Sequence, residues 1–351
     1  MKIIVDAMGG DFAPQAPVEG AISAVKELGA KVILVGRAEV ILSALEELGH
    51  KEVPVGVEIV HAEDVVDIED NPATVVREKK DASMIVGLRL LKEGRGDAFV
   101  SAGSTGALLS AATLIIKRVT GIRRAALAPV IPTGEGGAVL IDCGATAECT
   151  PEYLLQFAFM GSYYAKRCLD CAEPRVGLLN IGAEPSKGTE LHRQTNVLLK
   201  KAHEDGRIRF SGNVEAKEAI LGEVDVIVTD GFSGNIFLKT FEGTALFMNS
   251  MLKKVFMKGL TGKLAAGMVM GEIRTMKKTL DPNEVGGTIL LGISKPVLKA
   301  HGSSNAYAIR NAIGQGLNLA HSDLISDIKE NIDFMRLPVG ETETSSVQEE
   351  A

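Results

Sequence analysis

The sequence predicts an α/β fold of three layers, with helices on both faces of a mainly parallel sheet. Three observations carry that reading. Short β-branched runs alternate with longer segments of helical period along most of the chain. The strand-like runs are apolar throughout, as strands covered on both faces are. Glycine and small polar residues recur where those runs end, which is the punctuation of repeated βα units.

Taken in order, KIIVDAM is the first strand and Ala16 to Leu28 the first helix. KVILVG leads to a helix over Ala38 to Leu48, VEIVHA follows, and Ala82 to Lys92 is the next helix. DAFVSAG runs into a helix from Thr105 to Lys117, GGAVLIDCG into one from Pro151 to Arg167, and RVGLLNIG into one from Thr189 to His203. VDVIVTDG closes this series, and SSNAYAIRNAI marks a further helix start. The expected organisation is one α/β/α domain over 1–337, from which 240–282 protrudes as an amphipathic helical hairpin. The remainder, 338–351, is acidic and without apolar period, which reads as a disordered tail.

The bulk properties exclude several functions. The 351 residues are 46% hydrophobic and 24% charged, an ordinary globular composition. A net charge of −7, with 4% aromatic residues and no Trp, argues against nucleic-acid binding. Cys168 and Cys171 form a CxxC, but no second Cys/His pair stands at metal-ligand spacing. They read as reduced thiols on a helix, and no metal is expected. The opening MKIIVDAMGGD has no signal-peptide pattern and no stretch approaches a membrane span, so a cytoplasmic location is expected.

Polar residues concentrate at the carboxyl ends of the strand-like runs. Asp6, Gly9, Gly10 and Asp11 follow the first; Ser101, Gly103, Ser104, Thr105 and Gly106 follow another. Asp142 and Thr146, then Asn180, Glu184, Ser186, Lys187, Gly188 and Thr189, then Thr229, Asp230, Ser233 and Asn235 complete the set. A single such loop reads as a capped turn. Five on the edge where parallel strands end read as one shared site. The dinucleotide, Walker A, HExxH and GxSxG patterns are absent, so no nucleotide cofactor is indicated.

What remains is small-anion chemistry. The Ser101–Gly106 loop opens a helix, whose first turn offers unpaired N–H groups and a positive dipole end. Lys187 is a point charge beside another helix start. Asn235 can donate to an oxyanion or cap its helix, and His301 can serve as an acid–base group, a phosphate donor or a structural residue. Asp6 and Asp11 can orient a donor, hold a metal or cap a helix.

Between Met251 and Lys278 seven cations face Glu272 alone, and six of the chain's eleven methionines lie between Met248 and Met276. Gly259, Gly262 and Gly267 interrupt the stretch, which reads as two helices with a flexible tip. One reading is a dimer-forming helical pair with solvated lysines. Another is a cationic element on an anionic membrane through 250–278, with Lys258, Leu260, Lys263, Leu264 and Met268 at the surface. A basic surface also suits an acidic protein partner.

IIVDAMGGD, SAGSTGA, GLLNIGAEPSKG, VTDGFSGN and KAHGSS occur in this order across most of the chain. Together they closely resemble the bacterial acyl-[acyl-carrier-protein]:phosphate acyltransferase family (PlsX). Ser104 stands where many members carry Asn, which leaves the backbone amides there unaffected. The resemblance implies a fold akin to isocitrate/isopropylmalate dehydrogenase and phosphotransacetylase, without a cofactor. It implies that acyl carrier protein and inorganic phosphate are partners, and that acyl phosphate passes to a membrane glycerol-3-phosphate acyltransferase in phospholipid synthesis. It also implies a homodimer peripherally attached to the inner face of the cell membrane. Direct attack by phosphate on the thioester is then the expected mechanism. Lys187 and the Ser101–Gly106 loop hold the phosphate, Asn235 serves the oxyanion, and Asp230 orients Lys187 or a phosphate proton. A covalent acyl-enzyme on Cys143 or a serine is the rival route. Two other classes are weighed: a metal- and NAD-dependent dehydrogenase of the same fold, and a non-enzymatic membrane scaffold.

Overall fold

The computed structural model describes residues 1–336 apart from Glu135; the side chains of Leu260, Lys263 and Pro282 are outside the described set. The tail read at 338–351 also lies outside the described residues, as does Leu337.

The chain order begins β1 (Lys2–Asp6), α1 (Gln15–Leu28), β2 (Lys31–Gly36), α2 (Ala38–Glu47), β3 (Val57–His61), α3 (Val75–Glu78), α4 (Ser83–Lys92) and β4 (Ala98–Ser101). It continues with α5 (Thr105–Ile115), β5 (Ala126–Ala128), β6 (Val130–Thr133), β7 (Gly136–Ile141), α6 (Pro151–Cys168), β8 (Arg175–Leu179), α7 (Glu190–Glu204) and β9 (Arg209–Val214). Next come α8 (Ala216–Leu221), β10 (Val226–Val228), α9 (Gly231–Phe256), α10 (Gly259–Met268), α11 (Met270–Thr279) and α12 (Pro282–Val285). The last elements are β11 (Gly287–Leu291), β12 (Val297–Ala300), α13 (Ala306–His321), α14 (Leu324–Glu330) and a 3-10 turn over Ile332–Met335.

The strands divide between two sheets, ordered β3-β2-β1-β4-β12-β11-β5 and β6-β7-β10-β8-β9. The chain crosses from the first to the second across Pro129 and returns at β11. In the first sheet β11 alone runs against its neighbours; in the second, β6 alone does. The alternation read from the sequence is therefore carried by two mainly parallel sheets. Their division rests on pairings between strands distant in sequence, which local pattern does not encode. A continuous apolar core nevertheless links them, running from Ile3 and Val5 of β1 through Ile309 and Ile313 of α13 to Phe157 of α6 and Val176 of β8.

The strands read as apolar on both faces are buried at β1, β2, β4 and β10, but β3 is only half-buried because it forms an edge. The short strands β5, β6, β11 and β12, and the polar edge strand β9, lay outside the sequence reading. Each is too brief or too mixed in polarity to declare itself alone.

The expected hairpin is built of consecutive helices, α9, α10 and α11, joined by short breaks. Gly259, at φ +75, breaks the chain between α9 and α10. Gly267 is accommodated inside α10, so the tip expected to be flexible is itself a helix. Only Gly231, Gly234 and Phe237 of α9 are buried, and α11 has no buried residue among those described. Most of α9 therefore projects from the body.

This topology decides what the strand ends bring together. β1, β4 and β12 are adjacent and parallel, so the residues just after them, from positions 6, 101 and 301, share one edge. β7, β10 and β8 are likewise adjacent, which gathers Asp142, Asp230 and Asn180.

Candidate active site

At the edge of the first sheet the hub is Asp6, which is buried. Its carboxylate accepts from Ser83 Oγ at 2.6 Å, Ser101 Oγ at 2.7 Å and Met8 N at 3.2 Å. Burial raises its pKa, against the hydrogen bonds from Ser83, Ser101, Met8 and Gly9 that lower it. Ser101 Oγ in turn accepts from Gly103 N at 3.1 Å, so one carboxylate fixes the shape of the loop that opens α5. A Cβ on Gly9 would lie 2.7 Å from Asp6 Oδ2 and 2.8 Å from Gly103 N. Gly10, at φ +100, lets the neighbouring turn approach Ala102 and Gly302. Asp11 N donates to Gly302 O at 2.8 Å, tying the first loop to the His301 loop.

Ser104 caps α5, its side chain accepting from Ala107 N at 3.5 Å, and Thr105 and Gly106 are exposed in the first turn. His301 is exposed; its Nδ1 accepts from Ser303 N at 3.2 Å, and Ser303 Oγ lies 2.8 Å away. In the neutral ring that leaves the proton on Nε2, set to donate outward. Asn305 caps α13 by accepting from Ala308 N at 2.9 Å.

The second edge is built around Asp142, which is fully buried and accepts from the amides of Leu127, Ala145 and Thr146 at 2.7–2.9 Å. Asp230 is the N-cap of α9, Oδ1 accepting from Ser233 N at 2.8 Å. That capping bond was not part of the role read for Asp230. Asn235 lies exposed in the next turn, beside Gly144. Asn180 Nδ2 donates to Lys187 O at 3.2 Å and its Oδ1 accepts from Ile181 N, which folds the loop carrying Lys187 and Gly188 back on itself. Glu184, Ser186 and Lys187 are exposed. The Lys187 ammonium has no hydrogen-bond partner among the described residues.

Two lysines escaped the sequence reading. Lys299, near the end of β12, donates to Ala102 O at 3.3 Å and to Ala300 O. Burial lowers its pKa to about 8, opposed by the charges of Asp11 and Asp6 and reinforced by Lys239. The signal was present as one charged residue inside the apolar run VLKA. Lys239, on α9, also acts electrostatically on Cys143, so α9 lies within reach of both strand-end clusters. Ser83, the other partner of Asp6, carries no local signal, being 77 residues away in sequence.

The four cysteines are free thiols. Burial, aided by the Asp142 charge, pushes Cys143 far above the ordinary thiol range and Cys149 up to about 12. Neither is an activated nucleophile.

Along the hairpin Leu264 and Met268 are 69% and 86% exposed, and Lys258 is exposed. The side chains of Leu260 and Lys263, expected beside them, lie outside the described residues. Among the described residues no helix is long and apolar enough to cross a membrane.

A family model described as fatty acid synthesis protein matches residues 1–327. The chain belongs to this family. A phosphate acyltransferase of Alkaliphilus oremlandii is 44% identical over 335 residues, 95% of this chain and 98% of its own. The family resemblance read from the five motifs is thereby borne out, and this fatty acid synthesis protein is an acyltransferase. A phosphotransacetylase from Streptococcus pyogenes superposes with a TM-score of 0.61 at 20% identity, over 91% of this chain and 93% of that one. A 4-hydroxythreonine-4-phosphate dehydrogenase from Klebsiella pneumoniae does so with a TM-score of 0.52 at 14% identity, over 92% and 99%. These two bear out the fold class and speak to the fold alone.

Proposed function

We propose that this family member transfers the acyl group of an acyl-[acyl-carrier protein] to inorganic phosphate, releasing acyl phosphate and the free carrier protein. The observation that carries the reading is the Ser101–Gly106 loop, held by the buried Asp6 hub at the start of α5. Its backbone donors, with Lys187, Lys299 and His301 Nε2, supply the cationic and N–H groups a phosphate requires.

Phosphate at neutral pH is partly dianionic, so it needs orientation more than deprotonation. Its oxygen attacks the thioester carbonyl carbon, and the carbonyl oxygen takes the negative charge. Collapse of that tetrahedral species breaks the C–S bond and returns the carrier's thiol. Asn235, exposed at the start of α9, is the side chain assigned to the oxyanion. Asp230 holds the start of α9 through Oδ1, and Oδ2 is the oxygen assigned to orienting Lys187 or a phosphate proton. The raised thiols of Cys143 and Cys149 favour direct attack over an acyl-enzyme on cysteine.

The basic, exposed hairpin is the surface assigned to the membrane and to pairing as a homodimer, with peripheral attachment to the inner face of the cell membrane. The acidic carrier protein is steered by the same positive field. Acyl phosphate then passes to a membrane glycerol-3-phosphate acyltransferase.

The test mixes purified protein, long-chain acyl-[acyl-carrier protein] and phosphate, and traps acyl phosphate with hydroxylamine. Phosphate-dependent hydroxamate supports the reading. Release of carrier thiol without phosphate points to hydrolysis or an acyl-enzyme, and no turnover with several chain lengths refutes it.

A further inference from the structure

A cavity of about 930 Å³ runs beside α9. One wall is a single helical face, from Ser233 through Ile236, Phe237 and Phe241 to Ala245 and Met248. Leu179 and Ile220 form the opposite wall, and Leu280 borders the far end. Ile236 and Met248 are 52% and 55% exposed, an apolar surface along this face of the helix. Asn180, Gly188, Thr189 and Ser233 supply polar groups at one end, while further along α9 the hydroxyls of Thr240 and Thr244 stand among apolar side chains. That end belongs to the second strand-end cluster, so the apolar trough opens directly from the candidate site.

From this geometry we infer that the trough holds the substrate's acyl chain, with the thioester at the Ser233 end and the terminal methyl toward Met248. The inference rests on the acyl-transfer reading above and adds the place and reach of the chain. Among the described residues His192 is the only titratable one lining the trough, and burial lowers its pKa, favouring the neutral ring. An uncharged wall suits an uncharged tail, while the polar end suits the carbonyl and phosphate. The volume lies within the range of ligand pockets, and mainly apolar walls with a few polar groups are those of a site for an amphipathic ligand.

The helix supplies a ruler. Ser233 and Met248 are separated by about 22 Å along α9 at roughly 1.5 Å per residue. An extended chain advances about 1.2 Å per bond, one third of an extended residue, so the trough accommodates about eighteen carbons. Thr240 and Ala245 line it at about 10 and 18 Å from Ser233, opposite roughly the eighth and fifteenth carbons. Each buried methylene strengthens binding roughly fourfold.

The experiment compares wild type, Thr240→Trp and Ala245→Trp on six-, twelve- and sixteen-carbon acyl-[acyl-carrier protein], with binding of free palmitate by calorimetry as a second readout. Neither position belongs to the buried core, so folded protein is expected. Thr240→Trp is expected to cut the sixteen-to-six-carbon ratio of kcat/KM at least tenfold and to abolish palmitate binding. Ala245→Trp is expected to spare the twelve-carbon substrate and penalise the sixteen-carbon one. Ratios unchanged in both variants, with wild-type turnover intact, would overturn the inference. So would unchanged ratios with dissociation of a dimer on sedimentation, because a second copy would then cover the trough. If no chain length is turned over by wild type, the acyl-transfer reading fails; palmitate binding lost in Thr240→Trp would still support the trough as an acyl-chain site.

Discussion

Lys299→Met is the substitution that reports most directly on how the first strand-end cluster is built. The ammonium's pKa falls from 10.5 to about 8, and burial is the main cause. At ~1.4 kcal/mol per pH unit, holding it charged in the fold costs at most about 3 kcal/mol at pH 7. Methionine removes that charge at similar length but leaves Ala102 O and Ala300 O without the ammonium as donor, a loss of about 1 kcal/mol or more. The net expectation is a stabilisation of about 1–2 kcal/mol at pH 7 in the absence of phosphate. The sign with pH follows from proton counts. Between about 8 and 10.5 the unfolded chain binds more protons at this lysine than the folded one, so wild-type stability rises through that window. The variant lacks this contribution, so its advantage shrinks through that window and reverses by about pH 10.5, where the neutral amine still offers donors that methionine lacks. Denaturant unfolding of both proteins at pH 7, 8.5 and 10.5 measures the difference directly, other titrating groups being common to both. Added phosphate raises the wild-type midpoint at pH 7 and does so less in the variant, since phosphate favours the charged lysine. A variant no more stable than wild type at pH 7, or a difference that stays constant with pH, refutes the reasoning.

Three further outcomes follow from the same structure. Gly9→Ala places a methyl against Asp6 Oδ2 and Gly103 N, and is expected to destabilise by about 1–3 kcal/mol and to lower kcat/KM more than any surface alanine does, as measured by unfolding and hydroxamate formation. Asp230→Ala removes the cap of α9 and costs about 1 kcal/mol, whereas Asp230→Asn retains capping and leaves the unfolding midpoint near wild type. A matching loss of stability in both Asp230 variants would assign this carboxylate a charge-dependent role instead. Replacing exposed Leu264 and Met268 by Ser is expected to weaken binding to anionic phospholipid vesicles severalfold while turnover in solution persists; vesicle binding equal to wild type would remove the hairpin from the membrane reading.

The fold was legible because buried parallel strands write continuous apolar runs and helices write a 3.6-residue period. The helix ends read near Leu28, Lys92 and Arg167 lie within a residue of those observed. The loop from Ser101 was legible as a helix start because helix starts need capping residues and close approaches need glycine. Other features were not legible, for identifiable reasons. The division into two sheets depends on long-range pairings such as Val297 with Phe99. β12 is four residues long and carries Lys299, so it does not read as a buried strand. The Asp6–Ser83 bond joins residues from different elements, and only tertiary packing reveals it. Asp230 illustrates the reverse: a residue in a suggestive loop whose observed bond is a helix cap, the ordinary fate of Asp before a helix.

Stability and function meet at the buried cation. A soluble protein can bind phosphate with exposed lysines, but water screens them and phosphate keeps much of its hydration. Lys299 lies where water is largely excluded and where Asp6 and Asp11 are the charges that favour its protonation. Asp6 is itself raised by burial, and its oxygens are occupied by serine hydroxyls and backbone amides, so it offsets the lysine only in part. An anion bound beside Lys299 would act in the same sense as these two carboxylates, favouring the charged ammonium. The burial that lowers the pKa of this ammonium also strengthens its attraction for any anion beside it, because both effects come from a low local dielectric. Preorganisation at this edge comes from the supporting bonds: a loop with Gly9, Gly10 and Gly103 has wide backbone freedom, and the hydrogen bonds among Asp6, Ser83, Ser101 and Gly103 N fix it.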